Sequence, residues 1–182
     1  MDVFLVRHGE ASSSWGESPD PGLSELGRQQ AGAVAAHLAP MLDPGTQLLT
    51  SPLLRARETA TPLFEALGER VQVAEAYREV PSPVALANRQ AWLRQFMGER
   101  WEQQTEVLLE WRENILTHLV QLDRPAVIFT HFLVINAVVG HLTAKAETLC
   151  FWPDNGSITH LRVVDGSMRL HALGAQLSTR VN

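Results

Sequence analysis

Cysteine occurs once, at Cys150, which excludes an intramolecular disulfide framework and fits a reducing compartment. No arginine lies among the residues that follow it, Phe151 to Asn155, so nothing there would activate a catalytic thiolate and Cys150 reads as a packed structural side chain. An excess of positive charge is also missing, because 15 basic against 20 acidic residues leave a formal net charge of -5. That balance argues against a general nucleic-acid binder or an anionic-membrane binder, both of which need a basic field. Any anion site must be locally basic. No apolar run approaches a membrane span and no basic segment precedes the first one, so the expectation is a cytoplasmic protein. Low-complexity tracts, Gly/Ser linkers and internal repeats are absent from the 182 residues, 45% of them hydrophobic, which suits one domain over 1–182. The sequence has no H-E-x-x-H, no paired cysteines and no aspartate cluster of the kind that holds Mg²⁺, so neither metal nor cofactor is expected.

What is present alternates. Val3 to Val6 is a short continuous apolar run ending in Arg7-His8-Gly9-Glu10, the pattern of a buried strand that delivers a polar loop. Ala31, Val34, Ala35 and Leu38 keep helical spacing, with Ser24 as N-cap and Pro40 and Pro44 beyond the end. Gln47 to Thr50 is a second strand, and Ser51-Pro52 supplies an N-cap and a first-turn proline for a helix through Ala56, Ala60, Leu63 and Leu67 to Gly68. Val71 to Ala74 is a weak third strand. Residues from about Ala91 to Leu122 carry helical spacing, and Ala126 to Phe129 is the strongest strand signal, running into Thr130-His131 and a helix over Phe132 to Leu142. Ile158 to Val164 and Met168 to Leu173 flank Asp165-Gly166, a two-residue hairpin signature. The fold expected is a three-layer α/β/α sandwich, its sheet mostly parallel, with a C-terminal antiparallel hairpin.

Three basic elements follow strands: Arg7-His8, Arg55 and His131. If those strands are parallel, all three face one sheet edge, where ligands of such sheets bind. Arginine forks match phosphate oxygens and stay charged, and an imidazole with a free ring nitrogen can take a phosphoryl group covalently. His8 is the expected nucleophile and His131 the donor to the phosphoryl oxygens, although the order could be reversed. A leaving alkoxide needs a proton, for which Glu79 is the first candidate and Glu10 the competitor. Arg57 and Glu58 read as a solvated helix face.

The strings Val6-Arg7-His8-Gly9-Glu10, Leu23-Ser24-Glu25-Leu26-Gly27, Ser51-Pro52-Leu53-Leu54-Arg55-Ala56-Arg57-Glu58-Thr59-Ala60, Thr130-His131 and Asn155-Gly156-Ser157 resemble, in order, the signatures of the histidine phosphatase superfamily, also called the phosphoglycerate mutase-like family. The resemblance spans nearly the whole chain. It implies that His8 is the phosphorylated nucleophile, that Arg7, Arg55 and His131 form the phosphate pocket, and that Glu79 matches the proton donor through the Arg78-Glu79 pair alone. Gly9, Glu10, Ser14 and Phe132 are the substrate-contact candidates; Ser14 stands where mutase-like members carry Asn, and Phe132 and Leu133 where many carry small glycines. A compact lid is expected at about 81–104, with Arg89, Trp92 or Arg94 touching substrate.

The function expected is metal-independent hydrolysis of a phosphomonoester, on a small phosphorylated metabolite or a phosphorylated protein side chain. Two alternatives stand beside it: a protein phosphohistidine phosphatase, whose better leaving group could dispense with Glu79, and a catalytically weak module that binds a phosphate-bearing ligand.

Overall fold

Four consecutive apolar residues in a strand can be buried only if both faces of the sheet are covered. In the computed structural model, which describes residues 1–13 and 18–176, Val3 to Val6 lie in β1 (Asp2–Arg7), buried throughout. Val3 and Leu5 pack into one hydrophobic core, Phe4 and Val6 into another on the opposite face.

With β2 (Gln47–Thr50), β3 (Val71–Val73), β4 (Ala126–Thr130), β5 (Ile158–Val164) and β6 (Ser167–Ala172), β1 forms a six-stranded sheet in the order β3-β2-β4-β1-β5-β6. The first four strands run parallel, whereas β5 is antiparallel to β1 and β6 to β5. Helices α1 (Glu25–Leu38) and α2 (Leu54–Leu67) cover one face through Val34, Leu38, Ala60 and Leu63. The other face is covered by α3 (Arg89–Phe96), α4 (Glu106–Val120) and α5 (Phe132–Leu142). This is the three-layer sandwich expected from the sequence.

The local signals act as their chemistry requires. The Ser24 hydroxyl accepts from the Gly27 N–H at 3.0 Å and starts α1. Gly68, with φ of 67°, ends α2 in the left-handed region. Asp165 and Gly166 have φ of 51° and 73°, the pair of positive values that a type I′ hairpin turn needs between β5 and β6.

Two expectations need correction. The second helix does not begin at Ser51-Pro52: it starts at Leu54, whose N–H is taken by Asp20 Oδ1 at 2.8 Å from another loop. Ser51 stays outside the helix, where its hydroxyl lies 2.6 Å from a histidine and accepts from the Leu53 N–H at 3.3 Å. The helical pattern between Ala91 and Leu122 is broken into α3 and α4 with a 3₁₀ turn at Trp101–Gln103. There the chain bonds elsewhere: the Thr148 hydroxyl donates to the Phe96 carbonyl, and the Trp101 N–H donates to Ala146 O at 2.8 Å. Among the described residues no helix is long and apolar enough to cross a membrane.

Candidate active site

Because β1, β2 and β4 are parallel and adjacent, they end at one edge of the sheet. Arg7 pairs with Thr130 across β1 and β4, so the next residue of each strand, His8 and His131, leaves the sheet beside the other. The His8 N–H donates to Thr130 O at 3.0 Å, and the two imidazole centroids are 5.2 Å apart.

The tautomer of His8 is fixed from both sides. Nδ1 lies 2.7 Å from the Gly9 carbonyl, an acceptor, so Nδ1 carries the hydrogen. Nε2 accepts from Arg55 Nε–H at 3.1 Å, so Nε2 keeps its lone pair. Burial first, then the charges of Arg55 and Arg7, hold the ring well below the ordinary histidine pKa. His8 is therefore a neutral imidazole whose Nε2 keeps an unprotonated lone pair.

Its loop is clamped. The Gly9 N–H donates to Thr59 Oγ1 at 3.0 Å, and the same hydroxyl donates to Arg55 O at 2.6 Å, tying the His8 loop to α2. A Cβ at Gly9 would fall 2.5 Å from the Gly27 carbonyl oxygen, and one at Gly27 would strike the Glu10 carbonyl. The two glycine-bearing strings thus need each other.

Arg7 and Arg55 are both buried cations. Arg7 donates to Pro153 O at 2.8 Å, and its guanidinium lies 5.0 Å from the Phe132 ring centre. Burial lowers its pKa to about 10, against the pull of Glu79 and Asp154, so it stays charged at neutral pH. Arg55 lies 3.9 Å from Asp20 Oδ1, and burial lowers its pKa as well. His131 has no exposed surface; its Nε2 is 2.6 Å from Ser51 Oγ, while its Nδ1 and Arg7 Nε find no hydrogen-bond partner among the described residues. Burial and then the charge of Arg55 keep His131 well below the ordinary value too.

Of the two carboxyl candidates, Glu79 is buried. Its Oε1 accepts from Val80 N–H at 3.0 Å and its Oε2 faces Leu133 N–H, in the first turn of α5, at 3.4 Å. Burial raises its pKa, opposed by those two N–H groups and by Arg55, so it holds a proton to higher pH than an ordinary glutamate. Glu10 is exposed and accepts from the N-cap hydroxyl of Ser24 at 2.6 Å, a helix-start role.

These groups open on a cleft of about 750 Å³ lined by Arg7, His8, Glu10, Arg55 and Glu79, with Arg78 and Arg89 further out. His131, Gly9 and Phe132 do not line it: His131 is buried beside His8, Gly9 shapes the loop, and Phe132 lies under Arg7, 5.3 Å from the Trp152 ring. Ser14 lies outside the described residues. Within 81–104, Pro81, Arg89, Gln90 and Leu93 reach the cleft, whereas Arg94 is exposed elsewhere and Trp92 stacks on Phe96 at 5.4 Å.

Sequence reasoning missed several supports. Glu58 is not a solvated helix residue; its Oε2 accepts from Leu23 N–H at 2.6 Å and holds the loop ahead of α1. Ser51 was read only as a helix cap, Thr59, Asp20 and the cleft-lining Asn155 went unassigned, and for Thr59 and Asn155 the motif strings were the only signal.

Known proteins align with this geometry. Over 83 residues, 43% of this chain, it is 38% identical to the PE-PGRS family protein PE_PGRS11 of Mycobacterium tuberculosis, and the match spans only 14% of that protein. The mycobacterial glucosyl-3-phosphoglycerate phosphatase superposes with a TM-score of 0.71 at 25% identity, over 96% of this chain and 99% of that one. Phosphoserine phosphatase from Entamoeba histolytica, in complex with 3-phosphoglyceric acid, superposes at 0.75 and 20% identity, over 97% and 98%, a likeness of fold. The model of the histidine phosphatase superfamily, branch 1, matches residues 3–176, and the chain belongs to that superfamily.

Proposed function

We propose that the protein is a phosphomonoesterase that works through a phosphohistidine on His8, with a small phosphorylated metabolite as substrate. The observation that carries this reading is the His8 ring, held as one tautomer between Gly9 O and Arg55 Nε with its nucleophilic nitrogen on the side of two buried arginines. Superfamily membership supports it, and a small-metabolite substrate is in keeping with structural neighbours named for glucosyl-3-phosphoglycerate and phosphoserine.

In this mechanism Arg7 and Arg55 bind the phosphoryl oxygens, and the Arg55 donor now on Nε2 moves to one of them as substrate arrives. The Nε2 lone pair forms the N–P bond while the P–O bond to the alcohol breaks, and Glu79 protonates the departing oxygen. Water then gives its proton to the Glu79 carboxylate and attacks phosphorus; the N–P bond breaks, its electron pair returns to Nε2, and phosphate leaves. His131 supports the centre from behind, beside His8.

A rapid quench with labelled substrate tests the covalent step. We expect an acid-labile, base-stable phosphoprotein in the wild type and none in His8→Ala; label retained in that variant overturns the assignment.

A further inference from the structure

Regular structure places the groups around the phosphoryl position. Arg7 belongs to β1, His8 and His131 follow β1 and β4 directly, and Arg55 lies in the first turn of α2. Glu79 is different. β3 ends at Val73, and a 3₁₀ turn over Glu75–Tyr77 comes before the carboxyl is reached. Among the described residues Glu79 makes no backbone-to-backbone hydrogen bond, so neither the sheet nor a helix of its own fixes where it stands. A proton donor must nevertheless sit within hydrogen-bond reach of the departing oxygen.

Side chains from other elements supply what the backbone lacks. Thr130 Oγ1 donates to Tyr77 O at 2.9 Å, and Trp111 Nε1 donates to Arg78 O at 3.1 Å. The Tyr77 hydroxyl lies 3.2 Å from His118 Nδ1, and the two rings meet edge to face at 5.3 Å. Trp111 and His118 stand two turns apart on α4 and so share one face, by which this helix grips the two residues ahead of Glu79. The Trp111 bond is not needed to satisfy the indole: the residue is half-buried, stacked on Trp101, and water could serve its N–H equally well. What the bond fixes is the Arg78 carbonyl, in the peptide that joins Arg78 to Glu79.

We infer that Trp111 is a positioning residue for the proton donor, acting through the Arg78 carbonyl, with the Tyr77–His118 contact as its second hold on the same segment. The inference rests on the phosphomonoesterase reading and on Glu79 as the acid. It assigns α4, which contributes no group to the cleft, a part in the step that releases the alcohol.

The test compares a substrate that needs the acid, glycerol 2-phosphate, with one that does not, p-nitrophenyl phosphate. In Trp111→Phe, which keeps an aromatic ring and removes the N–H, kcat for glycerol 2-phosphate should fall about tenfold, while that for p-nitrophenyl phosphate stays within about twofold. Tyr77→Phe, which removes only the hydroxyl facing His118, should show the same selectivity, and it decides the matter if Trp111→Phe does not fold. The double variant Glu79→Gln/Trp111→Phe should be no slower on glycerol 2-phosphate than Glu79→Gln, since an acid already removed cannot be misplaced. Equal losses on both substrates, no loss on either, or a double variant slowed by the full single-variant factor would each overturn the proposal. A readout without turnover is the Glu79 carboxyl carbon followed by NMR against pH: its midpoint should lie lower in Trp111→Phe, as the loosened segment admits water, and an unmoved midpoint would count against the placement. Failure of the wild type to hydrolyse p-nitrophenyl phosphate would instead refute the phosphatase reading, and the titration would still decide whether Trp111 places the carboxyl.

Discussion

One hydroxyl, that of Thr59, holds two backbone groups from separate motifs, the Gly9 N–H and the Arg55 carbonyl. Its consequence is the placement of His8 against Arg55. In Thr59→Val the Gly9 N–H loses its acceptor, and we expect kcat to fall tenfold or more, on the order of what small misplacements cost, with KM changing far less. Thr59→Ser keeps the hydroxyl and should stay within about threefold of wild type, since a retained hydrogen bond costs little. Steady-state kinetics separates the two. Glu79→Gln keeps the shape of a buried carboxyl but cannot give up a proton; kcat for an alkyl phosphate should drop by roughly 10²–10⁴, and far less for p-nitrophenyl phosphate, whose leaving group needs no acid. A phosphohistidine substrate should also be spared. At this scale the sequence was legible where a residue's chemistry is singular: arginine after a strand, histidine after a strand. Ser51, Asp20 and Glu58 were not, because a hydroxyl or carboxylate has many uses and only the partner across the fold selects one.

At the scale of elements, α1 contains two glycines that look alike in sequence and differ in the fold. Gly27 meets the Glu10 backbone so closely that a Cβ cannot fit, while Gly32 has nothing within 4 Å. Gly32→Ala should stabilise by about 0.5–1 kcal/mol through helix propensity, and Gly27→Ala should destabilise by about 1–3 kcal/mol through overpacking, as read from urea midpoints. Periodicity and caps located most helices and all six strands to within a residue or two, because Ser24, Gly68 and Asp165-Gly166 act locally. The start of α2 and the break before α4 escaped because both depend on distant partners, Asp20 in one case and the Ala146–Thr148 stretch in the other.

For the whole molecule, a net charge of -5 coexists with a cleft lined by four arginines. Burying two neutral imidazoles under those cations links the fold to pH. His8 and His131 are depressed in the folded chain, so the unfolded chain binds more protons below about pH 6.5, the ordinary histidine value. Their contribution to stability is present above that pH and is lost as pH falls toward the folded values. Glu79, raised by burial, works in the opposite sense, losing its contribution as pH rises above the ordinary glutamate value. Denaturation midpoints should decline from pH 7.5 to 5, and His8→Asn should flatten that decline; an unchanged slope would contradict the buried neutral imidazole. The sandwich, and the sheet edge at which Arg7, His8, Arg55 and His131 gather, were legible in the sequence, since alternating strands and helices leave few topologies. Which wall of the cleft each residue of 81–104 would face was not, because that segment is placed by packing rather than by pattern.

The pairing of Arg7 with Thr130 has one more implication. Adjacent strands stand about 4.8 Å apart wherever a sheet is hydrogen-bonded, and the two rings emerge from neighbouring strands at matching positions. Their spacing is thus a repeat distance of the backbone itself. Surface segments such as 81–104 can be lengthened, trimmed or rewritten to accept new molecules, and the gap between the imidazoles will not register the change.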